Sequence, residues 1–308
     1  MRAPSRSLLP LALLALAPTV LPAQGRTLAE RLGYPANAKL LILHADDLGV
    51  AHSVDAASLD ALSKGIVSSA SVMMPTPWVT EVAAYAKANP DADLGLHLTL
   101  TSEWQSYRWG SVASRDQVPS LLDPDGTFPR DAATVVARAR PAEVERELRA
   151  QLERALAMGI RPTHLDSHMG ALFATPELLA AYVRVARDYQ LPFLGMRALP
   201  GVTAGLFLDS DVLVDAVVIA HPQVPAEGWQ AFYVDAVKTL KPGLTELIVH
   251  LGHDDAELQA VMVNHPDYGA AWRQRDLDAL ASPEFRQALK DHDVKVVTWR
   301  QIREAMTR

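Results

Sequence analysis

The chain contains no cysteine among its 308 residues. Disulfide scaffolds, thiolate nucleophiles and cysteine-bound zinc are therefore excluded, and any metal must be held by histidine and carboxylate. Charge of one sign is also scarce: the formal net charge of −7 is mild and spread along the sequence, which offers nothing to nucleic acid or another polyanion. Long apolar runs are missing beyond the first two dozen residues, so no transmembrane anchor of about 20 apolar residues is expected. No repeat, low-complexity tract or linker divides the chain.

The N-terminus does carry one apolar stretch. Arg2 and Arg6 precede a run from Leu8 to Leu21 made almost wholly of Leu, Ala, Pro and Val, broken by Pro10 and Pro18 and followed by Pro22, Ala23 and Gln24. Basic, apolar and small residues in that order predict a signal peptide over residues 1–23 and an exported protein, periplasmic or secreted. The remainder, 24–308, is expected to form one domain.

Short β-rich runs alternate with helical patterns there, as in a parallel sheet with crossover helices. Strands are predicted at Leu40–Ala45, Ser68–Met74, Leu94–Leu100, Thr163–His168, Phe193–Arg197, Val217–Ala220, Glu246–Leu251 and Val294–Trp299. Helices are predicted at Ser53–Lys64, Pro77–Ala88, Ala142–Met158 and Pro176–Tyr189, the last with Thr175 as cap and Pro176 at its first position. Seven or eight such units imply an α/β fold of the (β/α) barrel type, irregular at the weakly written sixth strand, with an open doubly wound sheet as the alternative. One segment, 101–140, is mostly polar and carries Trp104, Tyr107 and Trp109. Following the third strand, it would overhang the active face of a barrel.

Catalytic groups in such folds sit where strands end at their carboxyl edge. Four strand ends there collect six of the ten histidines: HADDLG (44–49), GLHL (95–98), THLDSH (163–168) and HLGH (250–253). Each has an ordinary explanation. Asp46-Asp47 can be a turn with a helix cap, and a lone histidine such as His97 is usually a hydrogen-bonded core residue. His164, Asp166 and His168 are harder to dismiss, because they alternate on one face of a strand and would be costly to bury without a partner or metal. Two histidines and a carboxylate suit one divalent cation with open positions, and of the two adjacent aspartates one can bind metal while the other acts as base. Both can reach the site only if the strand ends at Leu48-Gly49.

The ordered series HADDLG, GIVSSASVM, GLHLTLT, PSLLDPDGTFP, RPTHLDSH, TELIVH and the tail from Tyr268 to Trp299 resembles the YdjC/ChbG carbohydrate deacetylases over nearly the whole mature chain. The resemblance implies metal ligation by Asp47, His97 and His168, with Asp46 as base and His250 as general acid. The cofactor it implies is one divalent metal ion; ligand chemistry favours Zn, whereas family members are commonly assigned Mg. The substrate it implies is an amino sugar or its oligosaccharide, and the reaction is removal of the N-acetyl group. His164 and Asp166 would orient ligands or serve the structure alone, Trp104, Tyr107 and Trp109 would offer a platform to a sugar ring or pack the loop, and His253 is the alternative acid. The sequence departs from the family where Met169-Gly170-Ala171-Leu172-Phe173 follows His168 and where His250-Leu251-Gly252 ends the seventh strand, which leaves the substrate open. Rival readings are another barrel-fold metal hydrolase (an amidohydrolase or phosphodiesterase) and an exported sugar-binding protein with a decayed site. Amidohydrolases place His-x-His on the first strand, where this chain has Asp-Asp. A glycosidase using the two carboxylates ranks below both, because adjacent aspartates cannot flank a glycosidic bond at about 5 Å or more.

Overall fold

The computed structural model describes residues 25–197 and 205–306, so the expected signal peptide lies outside the described residues. Seven strands form one sheet in which every pairing is parallel: β1 Lys39–Leu48, β2 Ser69–Val72, β3 Leu94–Leu98, β4 Leu165–Ser167, β5 Ala216–Ile219, β6 Gly243–Val249 and β7 Val294–Val296. The order is β4-β3-β2-β1-β6-β5, with β7 beside the first residues of β1 and β2 beside its later ones. Central β1 is buried from Leu40 onward, which is why it reads as a continuous apolar run rather than an alternation.

The sheet curls into a half-barrel. Its open side, between β4 and β5, is spanned by residues 193–197, which make only isolated bridges: Phe193 to Leu165 on β4, and Met196 to Val214 just before β5. The regular strand expected at Phe193–Arg197 is therefore absent. Pro192, just before it, supplies no N–H, and the hydrogen bonds of the stretch divide between two neighbours, Leu194 N–H to the Leu165 carbonyl and Arg197 N–H to the Val214 carbonyl. The irregularity falls here and not at the sixth predicted strand, which pairs regularly with β6 as β5.

All four expected helices form, as His52–Ser63, Val79–Ala88, Pro141–Met158 and Pro176–Asp188. Thr175 accepts the Leu178 N–H at 3.3 Å, and Pro176 opens the helix as predicted. In Pro141–Met158 the buried residues Val144, Leu148, Leu152 and Ala155 follow one helical stripe, and the left-handed Gly159 (φ +88°) ends it. The same face carries buried Glu143 and Glu147, which accept from the backbone of the long polar segment, and buried Gln151, which pairs with the Thr99 backbone just after β3. Glu147 accepts the Val112 and Ala113 N–H groups at 2.9 Å each, and Glu143 accepts that of Ser120 at 2.7 Å. Segment 101–140 is thus anchored over the carboxyl edge of the sheet. No described helix is long and apolar enough to cross a membrane.

Asp55, in His52–Ser63, is fully buried and accepts the Gly49 N–H at 2.6 Å through Oδ1, while Oδ2 is buried without a partner. Burial pushes its carboxyl up to about 8. The native state then keeps a proton that the unfolded chain releases near pH ~4, so this stabilisation is full below about 4 and is lost as pH rises through about 8. Asp55→Asn keeps the acceptor and needs no proton. Its unfolding free energy in urea should vary less between pH 5 and pH 8 than that of the wild type; an unchanged slope would contradict the assignment.

Candidate metal centre

Because all strands are parallel, their carboxyl ends share one edge, and four of them deliver side chains to it. Asp46 and Asp47 come from β1, His97 from β3, Asp166 from β4 with His168 in the turn just after it, and His250 from the residue following β6. Neighbouring residues on a regular strand face opposite ways. β1 ends at Leu48, as it must for both aspartates to reach the site. The register between β1 and β2 shifts between Ala45 and Leu48, and Asp47 adopts φ +69°. Such a bulge turns the second carboxylate to the same side as the first, and aspartate tolerates the left-handed region better than a β-branched residue would.

The three expected ligands converge. Asp47 Oδ1 lies 3.4 Å from His97 Nε2 and 3.2 Å from His168 Nδ1, and ligand atoms of all three lie within 4.8 Å of one another. Each is at least 95 % buried. The far nitrogen of each imidazole is taken by a carboxylate: His97 Nδ1 by Asp166 Oδ1 at 2.7 Å, and His168 Nε2 by Glu103 Oε2 at 3.1 Å. Those bonds fix which nitrogen faces Asp47, as in carboxylate–histidine–metal arrangements. Asp47 Oδ1 itself is buried without a hydrogen-bond donor, a costly state that a cation between the three groups would relieve. The donor set of two nitrogens and one oxygen fits a divalent ion.

Electrostatics follow from the same contacts. Burial alone would raise the Asp47 carboxyl, but Arg273, whose Nη2 donates to Oδ2 at 2.6 Å, and the two imidazoles hold it well below the usual range. Burial would lower both histidines, yet Asp46 and Asp166 raise His97 well above its ordinary value, and Glu103 with Asp47 raises His168 to about 9.

His250 behaves differently. Its Nε2 is 4.0 Å from Asp47 Oδ2, its Nδ1 is buried without a partner, and its backbone N–H donates to Asp276 Oδ2 at 2.9 Å. Burial, joined by the Arg273 charge and opposed by Asp47, lowers it to about 4. His253 is exposed, and its backbone N–H donates to the Ser53 carbonyl; of the two candidate acids, only His250 is aimed at the cluster.

Three expectations change. Trp104 and Trp109 are 1 % and 5 % exposed, so neither presents an open platform to a sugar. Their rings meet edge to face at 5.3 Å; Trp109 stands 6.4 Å from the His168 ring, and the Arg273 guanidinium lies 5.9 Å over Trp104. They wall the site from behind because Trp109 Nε1 finds the Thr101 carbonyl at 2.9 Å, which lets the indole be buried. His164 lies deeper than expected, bonded through Nδ1 to Thr163 Oγ1 at 3.0 Å and stacked on Trp299, and it orients none of the three ligands. Asp166 does orient one.

Arg273 and Glu103 escaped sequence reading, and His44 figures there among the strand-end histidines without a role. Arg273 and Asp276 sit on the buried face of helix Ala270–Ala281 with Ala270 and Leu280, and charged residues at buried helical spacing are the signal that could have found them. Glu103 follows GLHLTLT closely but lies in irregular backbone, where no period marks it.

Residues 40–291 match the family of YdjC-like proteins. The chain is 35% identical over 291 residues to the carbohydrate deacetylase of Thermus thermophilus, covering 91% of this chain and 99% of that protein. It is 30% identical to the carbohydrate deacetylase of Brevibacillus brevis, covering 85% and 99% respectively. The crystal structure of a candidate cellobiose-phosphate cleavage protein from Enterococcus faecalis V583 superposes with a TM-score of 0.73 at 26% identity, covering 86% of this chain and 99% of that one.

Proposed function

The chain belongs to the YdjC-like protein family, and from that premise we propose that it is a metal-dependent hydrolase removing N-acetyl groups from amino sugars or their oligosaccharides. Its relatives are named carbohydrate deacetylases, which supports the reaction class. The observation that carries the metal is the undonated, buried Asp47 Oδ1 facing two imidazole nitrogens, each braced by a carboxylate. Asp47, His97 and His168 are the ligands in this reading. A bound divalent cation supplies Lewis acidity toward the acetyl carbonyl and makes water more acidic.

The chain's own groups handle the protons. The contacts of Asp46 with His44, Ser71 and His97 all run through Oδ1, which leaves Oδ2 to take a proton from the attacking water. Water adds to the acetyl carbon, the carbon–nitrogen bond breaks, and the sugar nitrogen leaves with a proton as acetate forms. His250 is the group placed to pass that proton on. Its imidazole is neutral in the resting site, so it carries a proton during turnover rather than storing one beforehand. A nearby cation would lower it further.

Two results follow for His250. His250→Ala should keep its metal and lose about 10² to 10⁴ in turnover. A resident imidazolium acid of ordinary pKa would make activity fall above pH ~6.5; His250 held near 4 predicts no such fall between pH 6 and pH 8. Metal content with a pH–rate profile for both proteins checks this, and a fall centred near 6.5 that is missing in the variant would contradict it. Export belongs to the same proposal, on the residue order of the first 23 positions. Mature protein should begin near Gln24, and intact residues 1–23 on protein from a native cytoplasmic fraction would refute this.

The reading as a whole is tested by acetate release from N-acetylglucosamine oligomers with several divalent metals. Acetate and free amine should appear in equal amounts.

A further inference from the structure

Beneath the ligands lies a second layer of buried polar side chains that the reaction as described does not use, and His44 is its centre. His44 is 0 % exposed and sits two residues before Asp46 on β1. Its Nε2 is 3.0 Å from Asp46 Oδ1, 2.9 Å from Asp166 Oδ2 and 3.1 Å from Ser71 Oγ. Its Nδ1 is 3.0 Å from Ser69 Oγ and 3.5 Å from Glu246 Oε1. Two carboxylate oxygens that can only accept face Nε2, so that nitrogen carries the hydrogen. The Ser71 hydroxyl gives its own hydrogen to Asp46 Oδ1 at 3.3 Å.

We propose that His44 is a positioning residue for deacetylation, its Nε2–H tying the Asp46 carboxylate to the Asp166 carboxylate. The proposal rests on the deacetylase reading. One donor then fixes two things at once. In this arrangement it would hold Asp46 by Oδ1 and so aim Oδ2 at the water, and it stands 2.9 Å from Asp166 Oδ2, a buried oxygen with no other donor, while Oδ1 receives His97 Nδ1 at 2.7 Å. The chain His97, Asp166, His44, Asp46 thereby locks the base in register with a metal-ligating ring. Without a donor between them, two buried carboxylates would repel, and each would turn toward whatever N–H or water it could reach. The geometry of a proton transfer degrades with a displacement of about 1 Å.

His44, His164 and Asp166 together also have the donor types of a second cation site. The Nε2–H between Asp46 and Asp166 already fills that place, so one metal per chain is expected.

The test compares the wild type with His44→Gln, whose amide can donate from near the Nε2 position, and His44→Leu, which cannot donate. Readouts are metal content, and kcat and KM for acetate release from di-N-acetylchitobiose. Both variants should hold one metal per chain with KM within about threefold of wild type, while His44→Leu loses about 10- to 100-fold in kcat and His44→Gln recovers most of it. Equal losses in the two variants, an undiminished kcat in His44→Leu, or a second metal that disappears with His44 would each overturn the proposal. Nitrogen-15 spectra of the wild-type histidines give a readout independent of turnover and of variant folding. They should show the His44 Nε2 protonated and its proton shifted by Asp46→Asn; an unprotonated Nε2 overturns the proposal. A wild-type protein that releases no acetate refutes the deacetylase reading alone, and the spectra still decide the tie.

Discussion

His97→Ala and His168→Ala should each lose metal and turnover together, with acetate release falling to background while the fold persists. Asp47 Oδ1 faces both rings, and removing either leaves two donors in a site whose walls are already packed. Losing a ligand costs more than losing what stands behind it. Glu103→Gln and Asp166→Asn are expected to weaken metal binding by about 10- to 100-fold, because the ring each carboxylate orients would be free to turn. Metal content after dialysis against graded chelator orders the four variants. If His168→Ala retained a full equivalent of metal, the ligand set would be wrong.

Asp46→Asn has the second-largest expected effect and the opposite metal signature. The amide preserves the shape of the carboxylate and can still accept from Ser71 and His44 through its oxygen, so the centre should bind one metal as before. It cannot take a proton from water, and turnover should fall by about 10² to 10⁴. Near wild-type activity in Asp46→Asn would remove the base from the mechanism. Loss of metal along with activity would instead make Asp46 a ligand, the role proposed for its neighbour Asp47.

The architecture was readable where burial and local chemistry agree. The 40–43 run of central β1 is apolar because parallel strands are covered on both faces, and the Thr175-Pro176 pair opens its helix as cap and first residue. The segment at 193–197 reads as a full strand because its composition is β-like, whereas its division between two neighbours, Leu165 and Val214, is a tertiary fact. The cluster of Asp47, His97 and His168 could be anticipated because each stands at a strand end, where parallel topology brings side chains to one edge.

What surrounds that cluster could not be anticipated in the same way. Arg273 lies 226 residues from the Asp47 it pairs with, and nothing local sets it apart from Arg275 except its place on the buried helix face. The left-handed Asp47 is visible only in the backbone. Whether Trp104 and Trp109, in a polar segment, pack or stay open to a sugar ring is not legible until Glu143 and Glu147 are seen to anchor that segment against a helix.

The most direct measurement is acetate release from di-N-acetylchitobiose by protein as purified, after exhaustive chelation, and after return of a single divalent metal. A metal-dependent deacetylase with one site built on Asp47, His97 and His168 gives acetate in the first state, none in the second, and recovery in the third at one metal per chain. Acetate release that survives chelation in metal-free protein would contradict it.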